Sequence, residues 1–279
     1  MSDKVLVFGA GGNIGAPLVE TLLARGVPVR AASRSGAAPA GAEGVVVDLA
    51  DPSTVPAAFD GVGAAFIMLP AGSVAIAERL LPAVQAAAER GVKVVLLSVL
   101  GAETNEANPY RQVELALIAS GVKHVILRPN WFSDNFHTYW KAGVDAGVIS
   151  VPAGEGRSSF VDVRDIAASA AAALTSDAFD GQGFSLTGPQ ALSYAEAAKV
   201  LSGVVGRPVA YRAVDDDAFI GALTGAGVPD DYAHLLTAIF APVREGWTAA
   251  VSEDVERLTG RPAIDLATYA RDHAADLGA

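Results

Sequence analysis

The stretch KVLVFGAGGNIGAPLVETLLARG, residues 4–26, decides how the chain is read. An apolar run, Val5–Phe8, enters a loop that holds Gly9, Gly11, Gly12 and Gly15, and a helix-like pattern leaves it. Glycines at a strand end let a bulky, charged group approach the backbone, because no β-carbon stands in the way. Gly9, Gly12 and Gly15 spell G-x-x-G-x-x-G rather than G-x-G-x-x-G, since residue 14 is isoleucine. Both spacings share one physical logic. The chain turns tightly after the strand, and a pyrophosphate meets bare backbone. A helix starting near Asn13 and Ile14 then aims its N–H groups and positive dipole end at the phosphates. The competing reading is a turn that needs glycine only for close packing of helix on strand.

Outward from this stretch, short Val/Ile/Leu runs alternate with Ala-rich segments. Predicted strands cover residues 5–8, 27–32, 45–48, 65–69, 92–98 and 122–128. Between them lie helical patterns such as residues 73–90, where apolar residues recur at three- and four-residue steps. Continuous apolar strands separated by helices predict an α/β fold with a doubly wound parallel sheet covered on both faces. After Arg128 the pattern loosens. RPNWFSDNFHTYWKAG is aromatic-rich, SSFVDVRDIAASAAAALTS reads as a short strand and a helix near 163–174, and GFSLTGP and RPVAYRAV are further strands. The expected organisation is a Rossmann-like dinucleotide domain over 1–150, rejoined by segments within 158–188. A smaller, mostly helical lobe over 189–279 is expected to bind substrate.

The 279 residues, 51% of them hydrophobic, suffice for a large core. A formal net charge of -11 argues against non-specific partnership with nucleic acid or an anionic membrane. The chain has no cysteine, which excludes disulfides, thiolate nucleophiles and Cys-ligated metal. MSDKVLV runs into the first strand without a signal-peptide pattern, and the apolar segment 61–77 is broken by Pro70. A cytoplasmic location is therefore expected. The four histidines, His124, His137, His234 and His273, are too scattered to predict a metal site, and no G-x-S-x-G elbow is present.

In an open parallel sheet, ligands sit beyond the carboxyl ends of the strands. After the second strand comes ASRSG, which puts Arg34 about 20 residues beyond the loop, where the adenosine ribose is read. No acid occurs between Glu20 and Glu43 to hold a ribose 2′-hydroxyl. Arg34 between Ser33 and Ser35 suits a 2′-phosphate, hence NADP(H) rather than NAD. Asp48 and Leu49 are expected at the adenine, unless Asp48 only caps the next turn. Leu69 and Pro70 after strand four and Ser98 after strand five complete the expected cofactor site.

The motifs VFGAGGNIG, ASRSG, VDLADPSTVPAAFDGV, LRPNWFSDN and SSFVDVRDIA, with the tail from GVPDDYAHLL to LTGRP, resemble the NmrA-like atypical short-chain dehydrogenase/reductases. The likeness lies near their triphenylmethane reductases and NAD(P)H:quinone oxidoreductases and runs almost end to end. It implies an NADP(H) domain and a small C-terminal lobe, with substrate in the cleft between them. It also brings in Trp247 as a pocket residue.

Most short-chain dehydrogenases use Tyr-x-x-x-Lys, because an unassisted phenol kept ionised at neutral pH costs about 4 kcal/mol. None of the six tyrosines has lysine four positions on; for Tyr110, near where the family tyrosine falls, that residue is Glu114. A carboxylate there opposes phenolate formation. Tyr110 as a neutral donor and His137 as an acid are the remaining catalytic candidates. Direct hydride transfer to a quinone-like or other conjugated aromatic acceptor needs no strong acid. The expected pocket for such a small, flat molecule is Val99, Leu100, Asn130, Trp131, Phe132 and Phe136. Phe132, Phe136 and Trp140 fall on one face if the segment is helical. The resemblance leaves two alternatives: a redox sensor that binds NADP(H) without turnover and reports to a protein partner, and an isomerase-like enzyme with retained nucleotide.

Overall fold

Val5–Phe8 forms strand β1, and all four of its residues are buried. In the computed structural model the described residues are 4–70 and 72–279; Met1–Asp3, at the head of the expected first domain, and Ala71 lie outside them. From β1 the chain runs through helix α1 (Gly15–Ala24), β2 (Val29–Ser33), β3 (Glu43–Val46) and β4 (Ala64–Ile67). It continues through α2 (Ile76–Glu89), β5 (Lys93–Leu97), α3 (Pro109–Ala119) and β6 (His124–Pro129). Next come α4 (Lys141–Asp145), β7 (Val148–Val151) and β8 (Arg157–Ser158), then α5 (Val163–Leu174) and β9 (Gln182–Leu186). The rest holds β10 (Leu192–Ser193), α6 (Tyr194–Val205), β11 (Ala210–Ala213), α7 (Asp216–Gly225) and α8 (Asp230–Ala238). It ends with α9 (Ala241–Arg244), α10 (Asp254–Thr259) and α11 (Leu266–Asp272).

Two units pack separately: among the described residues, 4–70, 72–129, 163–186 and 257–260 form the first, and 130–162, 187–256 and 261–279 the second. The first holds a seven-stranded sheet in the order β3-β2-β1-β4-β5-β6-β9, with every neighbouring pair parallel. Strand order reverses between β1 and β4, the point where such sheets open for a ligand. Leu6, Phe8, Ala65, Ile67, Val94 and Leu96 share one buried cluster with Leu80 and Val84 of α2 and Val113 and Leu117 of α3. The alternate strand residues point the other way, where α5 packs on β4, β5 and β6 beside α1. That two-sided burial is why the central strands read as unbroken apolar runs.

β3 sits at 43–46, not at the expected 45–48. It is an exposed edge strand that begins on a charge: Glu43 accepts from Lys4 (2.6 Å) and from Arg30 Nε (2.9 Å). Apolar runs do not register such an edge.

The second unit has its own core, built from Phe136, Val144, Ile149, Phe160, Tyr194, Leu201, Phe240 and Tyr269 among others. β7 and β11 pair in parallel, and β8 and β10 pair antiparallel. Because Phe136, Val144 and Ile149 belong to this core, the packing boundary falls at Asn130, whereas the expected boundary was at 150. No described helix is long and apolar enough to cross a membrane.

Candidate functional site

β1 ends at Phe8, and the chain turns at Gly9 with φ 65°. Gly12 N–H closes the turn on the Gly9 carbonyl at 2.9 Å. Packing alone explains three of the glycines, Gly12 among them, since a β-carbon on it would stand 3.3 Å from the Gly9 oxygen. A β-carbon on Gly15 would stand 2.1 Å from the Gly9 oxygen, and one on Gly9 would stand 3.3 Å from the Met68 sulfur. Gly11 is different: it is exposed, and nothing lies within 4 Å of where its β-carbon would be. The competing reading therefore covers all three glycines of the G-x-x-G-x-x-G spacing, Gly9, Gly12 and Gly15, but not Gly11.

Ile14, which precedes α1, provides no side-chain cap, and the first turn carries no acid. Residues 11–13 are exposed at that end. An uncapped helix start with bare backbone above it suits an anion, because it sits at the positive dipole end, although Ala16 N–H already bonds the Gly12 carbonyl at 2.9 Å. This end of the sheet fits the phosphates of a dinucleotide.

One strand over, Arg34 follows β2 directly and is exposed. Its turn is held by the Ser33 hydroxyl donating to the Ala37 carbonyl (2.9 Å) and by the Ala37 N–H donating to Ser35 Oγ (3.3 Å). Gly44 lets β3 close on this turn, because a β-carbon there would lie 2.1 Å from the Gly36 oxygen. The Asp48 carboxylate accepts from the Ala50 N–H at 2.9 Å, so it caps the following turn, and Leu49 beside it is half-buried. Leu69 and Pro70 follow β4, the first half-buried and the second exposed.

Ser98, just after β5, is 2% exposed, and its hydroxyl donates to Glu114 at 2.6 Å. Glu114 on α3 is fully buried and also takes Arg111 Nη1 (2.9 Å), Arg128 Nε (2.8 Å) and Arg128 Nη2 (2.9 Å). Burial pushes the Glu114 carboxyl up, but the hydrogen bonds from Arg128, Ser98 and Arg111 outweigh it and hold it below the usual carboxylate range. Tyr110, one turn earlier, packs half-buried on the α2–α3 core. This network is absent from the sequence reading. Its signal was a lone arginine near the end of an otherwise apolar strand, with an acid on the neighbouring helix.

Val99 and Leu100 follow in the first unit and are half-buried. The remaining pocket candidates lie in the second unit, and several depart from expectation. Residues 132–140 are not one helix: Phe132 is extended (φ -81°, ψ 136°), and a 3-10 turn spans Ser133–Phe136. Phe132 bridges Val161 in parallel, so β-type pairing replaces the expected helical stripe. Phe136 is fully buried between Trp140 (5.0 Å) and Phe160 (5.2 Å), a core residue and not a pocket wall. Trp131 is half-buried against Phe240 at 4.7 Å.

Asn130 is 5% exposed and spends its amide inside the unit. Its Nδ2 donates to Ser159 Oγ (2.7 Å) and to the Thr248 carbonyl (2.7 Å), and its Oδ1 accepts from Trp131 N–H (2.9 Å). Asn130 thereby fastens the 3-10 turn Trp247–Ala249, on which Trp247 stands 64% exposed. His137 meets the hydroxyl of buried Tyr269 through Nδ1 and stacks on His273 at 5.0 Å. Burial is the leading cause that raises the phenols of Tyr139, Tyr194 and Tyr211, which is opposite to phenolate activation.

The NmrA-like family model matches residues 1–260. The NAD(P)H azoreductase of Xenophilus azovorans is 34% identical, with 99% of each chain covered. The NADPH-dependent quinone oxidoreductase of Escherichia coli, solved with NADPH, superposes with TM-score 0.84 at 25% identity over 96% of this chain and 99% of that one. The triphenylmethane reductase of Citrobacter sp., solved with NADP(H), gives TM-score 0.83 at 25% identity over 97% and 99%.

Proposed function

The chain belongs to the NmrA-like family and is an NAD(P)H-dependent oxidoreductase, and from that premise we propose that it uses NADPH to pass hydride directly to a quinone-like or otherwise conjugated aromatic acceptor. The observation that carries the reading is the uncapped start of α1 beneath a turn left open at Gly11–Asn13, with Arg34 exposed one strand away. In this account the backbone of residues 11–15 holds the pyrophosphate, and Arg34, on the turn that Ser33 ties to the Ala37 carbonyl, takes the 2′-phosphate. The bound reduced nicotinamide supplies the hydride.

No tyrosine has a lysine four residues on, so the chain offers no phenolate–ammonium pair of that kind. A quinone that receives hydride becomes a stabilised hydroquinone anion and takes its proton from water. A cationic conjugated dye simply becomes neutral. Either acceptor asks the protein for proximity and orientation more than for acid catalysis. The azo, quinone and triphenylmethane chemistry in the relatives' names supports an acceptor of this class.

Steady-state oxidation of NADPH by the purified chain, against a panel of quinones, azo dyes and cationic triarylmethyl dyes, tests the proposal. Acceptor-dependent oxidation is expected for at least one class. Absence of oxidation across the panel by protein that binds NADPH would overturn the acceptor reading.

A further inference from the structure

We propose that Glu114 is a positioning residue for the nicotinamide side of the site: it takes the only proton of the Ser98 hydroxyl and so fixes Ser98 as a hydrogen-bond acceptor at the end of β5. The inference rests on the dinucleotide reading above. A dinucleotide lies across the carboxyl ends of the strands, and its adenosine half is assigned to the β2 side, so the nicotinamide half falls toward β4 and β5.

Each Glu114 oxygen is saturated. Oε1 takes Ser98 Oγ at 2.6 Å and Arg128 Nε at 2.8 Å, and Oε2 takes Arg111 Nη1 and Arg128 Nη2, both at 2.9 Å. Arg128 is itself pinned, with Nε 3.2 Å from Glu103 and its Nη1 lying over Gly183 of β9, where a β-carbon would come within 2.7 Å. An ionised carboxylate can only accept, so the proton on the Ser98–Glu114 bond comes from serine. A serine hydroxyl has one donor and two lone pairs. Once its proton is committed, Ser98 can meet a ligand only through a lone pair. The complementary group is a donor, such as the nicotinamide carboxamide N–H or a ribose hydroxyl. A quinone or carbonyl oxygen, which needs a donor, is the wrong partner. The Ser98 N–H, bonded to the Leu127 carbonyl at 2.8 Å, holds the backbone for this presentation. Glu114 thus stands four residues after Tyr110, where the tyrosine–lysine arrangement puts an ammonium, and turns the same helical spacing to another use.

The test compares Ser98→Ala, Glu114→Gln and the double variant of the full chain, with NADPH as donor and a quinone as acceptor. Each single change is expected to raise the KM for NADPH about tenfold while kcat stays within about threefold. The double variant is expected to match the worse single one, since both changes remove one function. A wild-type KM in a folded Ser98→Ala protein would overturn the proposal, whether or not Glu114→Gln folds. Equal loss in kcat and kcat/KM would also overturn it, by placing Ser98 on the reacting acceptor. Failure of the unaltered chain to bind NADPH in calorimetry would instead bring down the dinucleotide reading itself.

Discussion

The α-carbon of Gly15 faces the Gly9 carbonyl so closely that a methyl group would stand 2.1 Å from its oxygen. Two kinds of glycine therefore share one loop. Gly15→Ala forces the helix away from the turn and is expected to cost about 3 kcal/mol of stability. Gly11→Ala meets nothing within 4 Å. Its stability should stay within about 0.5 kcal/mol of wild type. If NADPH approaches the bare backbone there, its dissociation constant should rise at least about tenfold in Gly11→Ala, as one phosphate contact is displaced. Urea denaturation and calorimetric titration of the two variants check both halves.

Arg34 is exposed at the end of β2, on a turn tied by the Ser33 hydroxyl. Charge reversal in Arg34→Glu removes a charge-assisted contact to the 2′-phosphate and adds repulsion. The KM for NADPH is expected to rise about 10- to 100-fold, while that for NADH moves within about twofold. Parallel steady-state kinetics with the two nucleotides read the difference. Equal losses would place 2′-phosphate recognition elsewhere.

Asn130 joins three backbone or hydroxyl partners from inside the second unit. Asn130→Ala leaves the Thr248 carbonyl without that donor and Trp131 N–H without that acceptor, at an expected cost of about 2–3 kcal/mol. The loss should be seen in urea denaturation, together with a change in tryptophan fluorescence from the loosened Trp247 turn.

These contrasts show what the chain discloses about itself. β1 and the glycine turn were legible because glycine and an apolar run punctuate the backbone locally, and α5 was legible because Val163–Leu174 keeps a long helical period. The run from Phe132 to Trp140 misled. Its four-residue aromatic steps imitate a helix, but pairing of Phe132 with Val161 overrides that period. The Ser98–Glu114–Arg128 network joins residues 14 and 16 positions apart across strand and helix. Its one signal, a lone arginine in an apolar strand, does not say which acid answers it. Asn130 followed a sheet strand and so read as a ligand contact, while the partners that occupy its amide lie 29 and 118 residues away.

Glu114 also gives the protein an acid-sensitive element. Its carboxyl is held below the usual range in the folded chain, so its contribution is complete above the unfolded value and is lost as pH falls through the folded one. Glu114→Gln should be destabilised by about 3 kcal/mol near neutral pH, because Arg128 and Arg111 lose a buried counter-charge. The gap to wild type should narrow as pH drops below about 4.5. Thermal unfolding of both proteins from neutral pH into this acid window measures it. A gap independent of pH would show that the carboxylate charge is not what stabilises the network.

The most direct test of the account follows the hydrogen itself. The purified chain is mixed without oxygen with NADPH carrying deuterium at both nicotinamide C4 positions and with a cationic triarylmethyl dye, and the reduced dye is analysed by mass spectrometry. Direct transfer predicts one deuterium on the central carbon of each reduced dye molecule. Reduced dye carrying hydrogen from water at that carbon would contradict the account.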